Sequence, residues 1–282
     1  LFITQSALNQ QLLKLEKELG TPLFHRSRTN WRLTEAGEIY IEGAKAALQI
    51  KNTTYNRIYD VVSARKGHLT IGLTPGRGLR MFTAIYPELH RSFPNLDVRP
   101  IEMRVRAQQD AIAKGEIDVG LMTLARRDQT SDTYYPLKQE ELVLIIPAGH
   151  PLAEKAAPSG EPLATLDLTE LRYEPFVLMD KTSTLRSSCD LLFEKAGFAP
   201  NILFETNNTS GIAAMVQSTL CCGIIPRYYT LGLTEGVACF SLPERPSWEI
   251  VISCQKNAYL NSGAREFIRL AREYWENSAP LF

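Results

Sequence analysis

Between a capping Thr4 or Ser6 and the breaker Gly20-Thr21-Pro22, the residues Leu8, Leu12, Leu15 and Leu19 recur at helical spacing. The pattern predicts an amphipathic helix of about four turns that ends at the glycine. Its opposite face carries Gln5, Asn9, Gln10, Lys14 and Lys17, amides and ammoniums able to meet base edges and phosphates. Two short extended runs follow, Leu23-Phe24-His25-Arg26 and Trp31-Arg32-Leu33, flanking the polar turn Ser27-Arg28-Thr29-Asn30. They predict a hairpin with an arginine at its tip, and helix plus basic hairpin is the arrangement of a winged helix. Thr34 then caps a longer pattern in which Ala36, Tyr40, Ala44, Ala47, Tyr55, Ile58 and Val62 recur mostly at steps of three and four up to Lys66-Gly67. A helix of about 30 residues rises about 45 Å, more than a small domain can enclose. Its apolar stripe therefore calls for a partner chain or a second element, and coiled-coil-like dimerisation is the economical solution.

From His68 the texture changes to α/β. Strand-like 68–73, 97–103, 119–122 and 142–147 alternate with helical patterns over 79–93 and 106–114, the signature of parallel βαβ units. A Pro-rich stretch from Pro151 to Pro162 precedes a second series: strand 176–179, helix 184–196, strand 202–205, helix 210–219 and strand 223–225. A last strand, 249–255, leads into an amphipathic helix over 263–275 with Phe267, Leu270, Ala271 and Tyr274 on one face. Two such lobes with a late return strand predict a cleft lined by strand C-termini and helix N-termini.

Composition narrows the class. At 282 residues, with 44% apolar and 22% charged, the chain fits about two globular domains and not a disordered tract. No apolar run approaches the ~18 residues a membrane helix needs. The start, Leu1-Phe2-Ile3-Thr4-Gln5, has neither a Met nor the features of a signal peptide, so a preceding segment is expected. Cys189, Cys221, Cys222, Cys239 and Cys254 form an odd set without C-x-x-C spacing, which fits a reducing compartment. His25, His68, His90 and His150 are scattered, so neither a metal site nor a cofactor is expected. The 31 basic and 31 acidic residues cancel, but residues 1–33 hold five basic against two acidic side chains, leaving +3 on the head and −3 on the body. A basic head of this kind suits a polyanion.

Hydroxyl-rich segments mark the predicted cleft. Thr74-Pro75-Gly76 follows the first α/β strand, Thr123 follows another, Thr182-Ser183-Thr184 opens a helix, and Asn207-Asn208-Thr209-Ser210 opens the next. Hydroxyls beside free helix N-terminal amides favour an anion, although helix capping alone also explains each. Arg77, Arg80, Arg104 and Arg106 fall near the same mouth. No P-loop, G-x-S-x-G or G-x-G-x-x-G is present, Gly76-Arg77-Gly78 being a lone fragment, so an enzyme is not expected.

Gln5-Ser6-Ala7-Leu8, then Leu15-Glu16-Lys17-Glu18-Leu19-Gly20-Thr21-Pro22-Leu23-Phe24-His25-Arg26, then Leu33-Thr34-Glu35-Ala36-Gly37 resemble the recognition helix, wing and linker start of LysR-type transcriptional regulators. The resemblance continues in order through Ile71-Gly72-Leu73, Phe93-Pro94, Gly115-Glu116-Ile117-Asp118-Val119-Gly120, Gly149-His150-Pro151-Leu152-Ala153, Gly197-Phe198-Ala199-Pro200 and Ile224-Ile225-Pro226. It implies an α/β fold with a partial winged helix-turn-helix over 1–33 and a linker helix over 34–66. A two-lobed, periplasmic-binding-protein-like effector domain follows, with lobe I at 67–145 plus 250–282 and lobe II at 146–249.

The implied activity is sequence-specific binding of double-stranded DNA in the bacterial cytoplasm, modulated by a small, anionic effector and involving no membrane. Partners implied with it are a homodimer through the linker helix, a homotetramer, and RNA polymerase. Gln5, Ser6, Asn9 and Gln10 would read bases, Arg28 would enter the minor groove, and Lys14, Arg26 and Arg32 would meet phosphates. The effector would meet Thr74, Pro75, Gly76, Thr123, Thr182, Ser183, Thr184, Thr209 and Ile225. Three departures accompany the match. The chain starts inside the helix-turn-helix, which leaves Leu8, Leu12 and Leu19 short of packing partners and implies a complete protein ~20–30 residues longer. Asn9-Gln10-Gln11 and Leu13 stand where basic residues are frequent, and Thr219-Leu220-Cys221 replaces the usual Gly-Leu-Gly. Two further readings remain at this point, a solute-binding receptor of the same two-lobed fold and a regulator sensing oxidants through Cys189, Cys221 or Cys222.

Overall fold

The computed structural model describes residues 4–26, 30–62, 65–158, 160–231, 233 and 235–277. Helix α1 (Gln5–Leu19) opens with Thr4, whose hydroxyl accepts from Ala7 N at 3.2 Å, and closes at Gly20 with φ 71°. None of its residues is buried. Strands β1 (Phe24–Arg26) and β2 (Trp31–Leu33) pair antiparallel, Phe24 opposite Leu33. Glu16 joins helix to hairpin by accepting from Leu23 N at 2.8 Å and pairing with Arg26. Thr34 caps α2 (Glu35–Val61), accepting from Gly37 N at 3.0 Å while donating to Pro22 O at 2.7 Å. The backbones meet so closely there that a Cβ on Gly37 would lie 2.0 Å from Leu23 O, which excludes any larger residue.

Helix α2 spans 27 residues and ends five short of the predicted limit, because Lys66 and Gly67 already belong to β3 (Lys66–Leu73). Ile39, Leu48, Ile50, Ile58 and Val61 lie exposed along it. Its last turns are fastened to the body. Asn56 donates to His68 O and accepts from His68 N at 3.1 and 3.0 Å, and Asp60 accepts from Tyr259 Oη at 2.7 Å and from Ser262 N.

The body continues through α3 (Arg77–Ser92), β4 (Asn95–Glu102), α4 (Val105–Ala113), β5 (Val119–Leu124) and β6 (Thr133–Pro147). Then come β7 (Pro175–Met179), α5 (Thr184–Lys195), β8 (Asn201–Thr206), α6 (Thr209–Gln217), β9 (Gly223–Pro226), β10 (Val237–Ser241), β11 (Ser247–Cys254) and α7 (Ser262–Glu276). Strand β3 lies parallel to β4 and β5, and β11 inserts antiparallel between β5 and β6. The long β6 links the two halves: residues up to Glu141 pair with β11, and residues from Leu142 onward pair with β9 and β10. One lobe packs Leu69, Ile71, Met81, Leu89, Phe267 and Trp275. The other packs Leu144, Phe176, Leu178, Phe193 and Phe240. No described helix is long and apolar enough to cross a membrane.

Two strand assignments differ from the sequence reading. Strand β6 begins at Thr133 and not near 142, and its first half contains Pro136, which the pattern reads as a break. The proline is accommodated opposite Val251, where the β6–β11 register shifts. Strand β10 is absent from the sequence reading, since Val237-Ala238-Cys239-Phe240-Ser241 shows no alternation.

The departure at Thr219 has a backbone consequence. It follows the C-cap of α6 at φ 66°, the left-handed region that a helix-ending glycine adopts without a Cβ clash. Thr219→Gly should therefore raise stability by about 0.5–1 kcal/mol in denaturant titration, the relief of the clash exceeding the added freedom of the unfolded chain. A loss of stability would show that the threonine side chain is needed there.

Candidate functional site

Where β3, β5 and β7 end, the lobes face each other across a cavity of about 700 Å³. Thr74, Pro75 and Gly76 border it after β3, Thr123 near the end of β5, Thr182, Ser183 and Thr184 around the start of α5, and Thr209 at the start of α6. These segments lie at the C-terminal ends of parallel strands, β3 and β5 in one sheet and β7 and β8 in another, the crevice position of open α/β sheets. Ile225 is not among them. It is fully buried in β9 with Val143, Ile145, Val177 and Ile212, because that strand is covered on both faces, and the next residue, Pro226, reaches the cavity. Arg106 is exposed and away from the lining.

The helix ends facing the cavity differ in how they are capped. Ser183 Oγ accepts from Leu185 N at 3.2 Å and Asn208 Oδ1 from Ser210 N at 3.0 Å. The cap positions of α3 and α4, Gly76 and Arg104, contribute no side-chain bond. At α3 the Arg77 and Gly78 amides already donate to Pro75 O and Thr74 O, which leaves, among the described residues, the opening turn of α4 able to serve an anion.

The three lining arginines occupy different electrostatic settings. Arg77, only 4% exposed, forms a two-pronged pair with the fully buried Glu140, its Nη2 donating at 3.1 Å. Glu140 also accepts from Trp248 Nε1 at 2.7 Å and Tyr228 N at 2.9 Å. The Arg77 guanidinium lies 4.7 Å from the Tyr228 ring centre and 5.2 Å from that of Tyr229, so aromatic faces enclose the charge. Arg104 Nη1 donates to Asp180 Oδ1 at 3.0 Å and also to Thr182 Oγ1, joining the lobes at the cavity. Burial raises the Asp180 carboxyl, but hydrogen bonds from Thr182 and the charge of Arg104 outweigh it and hold it below the usual carboxylate range. Arg80 forms no ion pair among the described residues, and its guanidinium lies 6.0 Å from the Tyr228 ring centre. A second bridge, this one buried, joins the lobes where Thr184 Oγ1 donates to Thr123 O at 3.0 Å.

On the head, Gln5, Ser6, Asn9, Gln10 and Lys14 are exposed along α1, and Arg32 is exposed on β2. Arg26 is exposed as well but pairs with Glu16 and lies 5.6 Å from the Trp31 ring centre, so part of its charge is already used. Arg28 lies outside the described residues. Sequence reasoning missed Glu140, Asp180, Tyr228, Tyr229 and Trp248. The legible signal is Glu140-Glu141, two acids at the start of an apolar strand, where burial demands a counter-charge.

The architecture is that of a ligand-responsive DNA-binding regulator: an exposed polar helix with a hairpin, a long linker helix, and two lobes around a cavity. Comparison with known proteins agrees. Residues 63–276 match the LysR substrate binding domain, and residues 1–38 match the bacterial regulatory helix-turn-helix protein, lysR family. The chain belongs to the LysR family of transcriptional regulators, DNA-binding proteins with an effector-binding domain. It is 28% identical to the uncharacterized HTH-type transcriptional regulator YcgK of Bacillus subtilis, over 97% of this chain and 87% of the relative. A probable RuBisCO transcriptional regulator of Cyanidioschyzon merolae is 30% identical over 77% of this chain and 71% of its own. Among solved structures, a full-length OxyR from Pseudomonas aeruginosa has a TM-score of 0.67 at 21% identity, over 98% of this chain and 87% of that one. The effector-binding domain of QuiR in complex with shikimate has a TM-score of 0.62 at 18% identity, over 75% of this chain and 98% of that one. These structural likenesses speak for the fold.

Thiol chemistry finds little support in the geometry. Burial pushes the thiols of Cys189 and Cys222 up to about 12 and that of Cys239 up to about 11. Thiolate, the reactive form, is therefore scarce at neutral pH. Mass spectrometry after iodoacetamide treatment of the native protein near pH 7 should find Cys189 and Cys222 unlabelled until denaturant is added. Rapid native labelling of either would restore the oxidant-sensing reading.

Proposed function

We propose that this regulator binds a small anionic effector between its lobes and that occupancy changes its grip on promoter DNA. The observation that carries this reading is the shared cavity, where Arg80 stands without an ion pair among the described residues and the opening turn of α4 offers amides. Thr74, Pro75, Gly76, Thr123, Thr182, Ser183, Thr184 and Thr209 would position the ligand. QuiR, which shares the fold, holds shikimate in its effector domain. An effector that fits one spacing of the lobes better than another shifts the equilibrium between them, and coupling of about 1–3 kcal/mol is enough to alter promoter occupancy.

In the same reading, Gln5, Ser6, Asn9 and Gln10 read the major groove, Arg28 enters the minor groove, and Lys14, Arg26 and Arg32 meet phosphates. The exposed apolar residues along α2 pair two chains, and two such dimers form the tetramer that spans a promoter within reach of RNA polymerase. The protein would act in the cytoplasm, where its DNA lies. Segments 1–33, 34–66, 67–145 plus 250–282, and 146–249 serve as reader, linker, lobe I and lobe II.

The test couples two measurements on the full chain. A thermal-shift screen of small organic acids finds a ligand, since binding to the native state raises apparent stability. Fluorescence anisotropy with promoter-derived duplexes then reads DNA affinity with and without it. The expected result is a change of about fivefold or more in affinity. A ligand that stabilises the protein yet leaves DNA affinity unchanged would contradict the reading.

A further inference from the structure

We infer that the cavity selects a ligand bearing one negative charge, and that the Arg104–Asp180 pair sets this limit. The inference rests on the anionic reading above and adds a charge number to it. Among the described residues, four charged side chains line the cavity: Arg77, Arg80, Arg104 and Asp180. Arg77 is neutralised from behind by Glu140, whose oxygens are also engaged by Trp248 and the Tyr228 amide. Arg104 is neutralised within the wall by Asp180. That leaves Arg80, without an ion pair among the described residues, as the cation available to a ligand.

Asp180 cannot readily turn its charge away. Its Oδ1 receives Thr182 N at 3.0 Å, the Thr182 hydroxyl, and Arg104 at 3.0 Å. The carboxylate thus stays beside the cavity as a fixed negative charge, at the loop where an anion would approach α5. The other polar groups facing a ligand are neutral, among them the hydroxyl of Thr123, a residue only 8% exposed. The dipoles of α5 and α6 are already partly answered by Ser183 and Asn208. A monoanion therefore finds one counter-charge. A dianion would find no second free cationic side chain among the described residues, and its second charge would lie beside the negative Asp180. Arg104 is 48% exposed, so solvent screens the pair and the discrimination should be a matter of affinity and not of exclusion.

The experiment compares cyclohexanecarboxylate, cyclohexane-1,3-dicarboxylate and cyclohexylmethanol at fixed ionic strength, with calorimetric titration into the full chain. The wild type should bind the monoacid at least about tenfold more tightly than the diacid. Arg80→Gln should weaken the monoacid by about tenfold or more. Asp180→Asn frees Arg104 and should tighten the diacid, narrowing or inverting the preference. A diacid-to-monoacid ratio that is the same in wild type and Asp180→Asn overturns the inference, and so does the absence of any response in both proteins. A wild type that prefers the diacid overturns it while leaving the anionic reading intact, whereas preference for the alcohol removes both.

Discussion

The buried pair of Arg77 and Glu140 is the constraint on which the two-lobed arrangement rests. Glu140 sits where β6 passes from pairing with β11 to pairing with β9 and β10, so it marks the joint between the two halves of the sheet. A carboxylate there is tolerable only with a counter-charge and hydrogen bonds, and Arg77, Trp248 and the Tyr228 amide supply them. Arg77 opens α3, Trp248 belongs to β11, and Tyr228 follows β9. One side chain thereby collects three segments at the point where the cavity wall meets the sheet.

The same arrangement explains how the site is connected to the rest of the chain. Arg77 borders the cavity while its charge is held at the joint, and Arg104 with Asp180 closes the opposite wall across the lobes. The linker helix is fastened to the first lobe through Asn56 and Asp60, the latter binding Ser262 at the start of α7. The helix carrying the DNA reader is thus anchored to the lobe that supplies Arg77, Arg80 and Arg104 to the cavity. In the proposed function, these attachments are the route by which a change in lobe spacing would reach the DNA-binding head.

Local signals make the head and most of the body legible in the amino-acid pattern alone. Thr4, Gly20 and Thr34 are caps whose roles follow from residue type and spacing, and they cap in the structure as the pattern predicts. The hydroxyl-bearing loops are legible because a strand followed by Thr or Ser and then a helix places those groups at the crevice. Contacts between distant positions are not legible in this way. Glu140 is 63 residues from Arg77 and 108 from Trp248, and nothing in the intervening pattern announces the meeting. The resemblance implies Ile225 at the effector, yet a strand covered on both faces sends it into the core and leaves Pro226 at the surface of the cavity. Pro136 conceals half of β6 because a register shift, a tertiary feature, accommodates it.

If the lobe joint depends on Arg77 and Glu140 acting as one unit, a double-mutant cycle with Arg77→Met, Glu140→Gln and the combined variant shows it directly by urea unfolding. Each single change should cost about 3–5 kcal/mol, because it leaves a buried charge or its partner group unsatisfied. The combined variant should cost about 2 kcal/mol less than the two separately, the mark of a shared interaction. Costs that simply add would contradict a joint built on this pair.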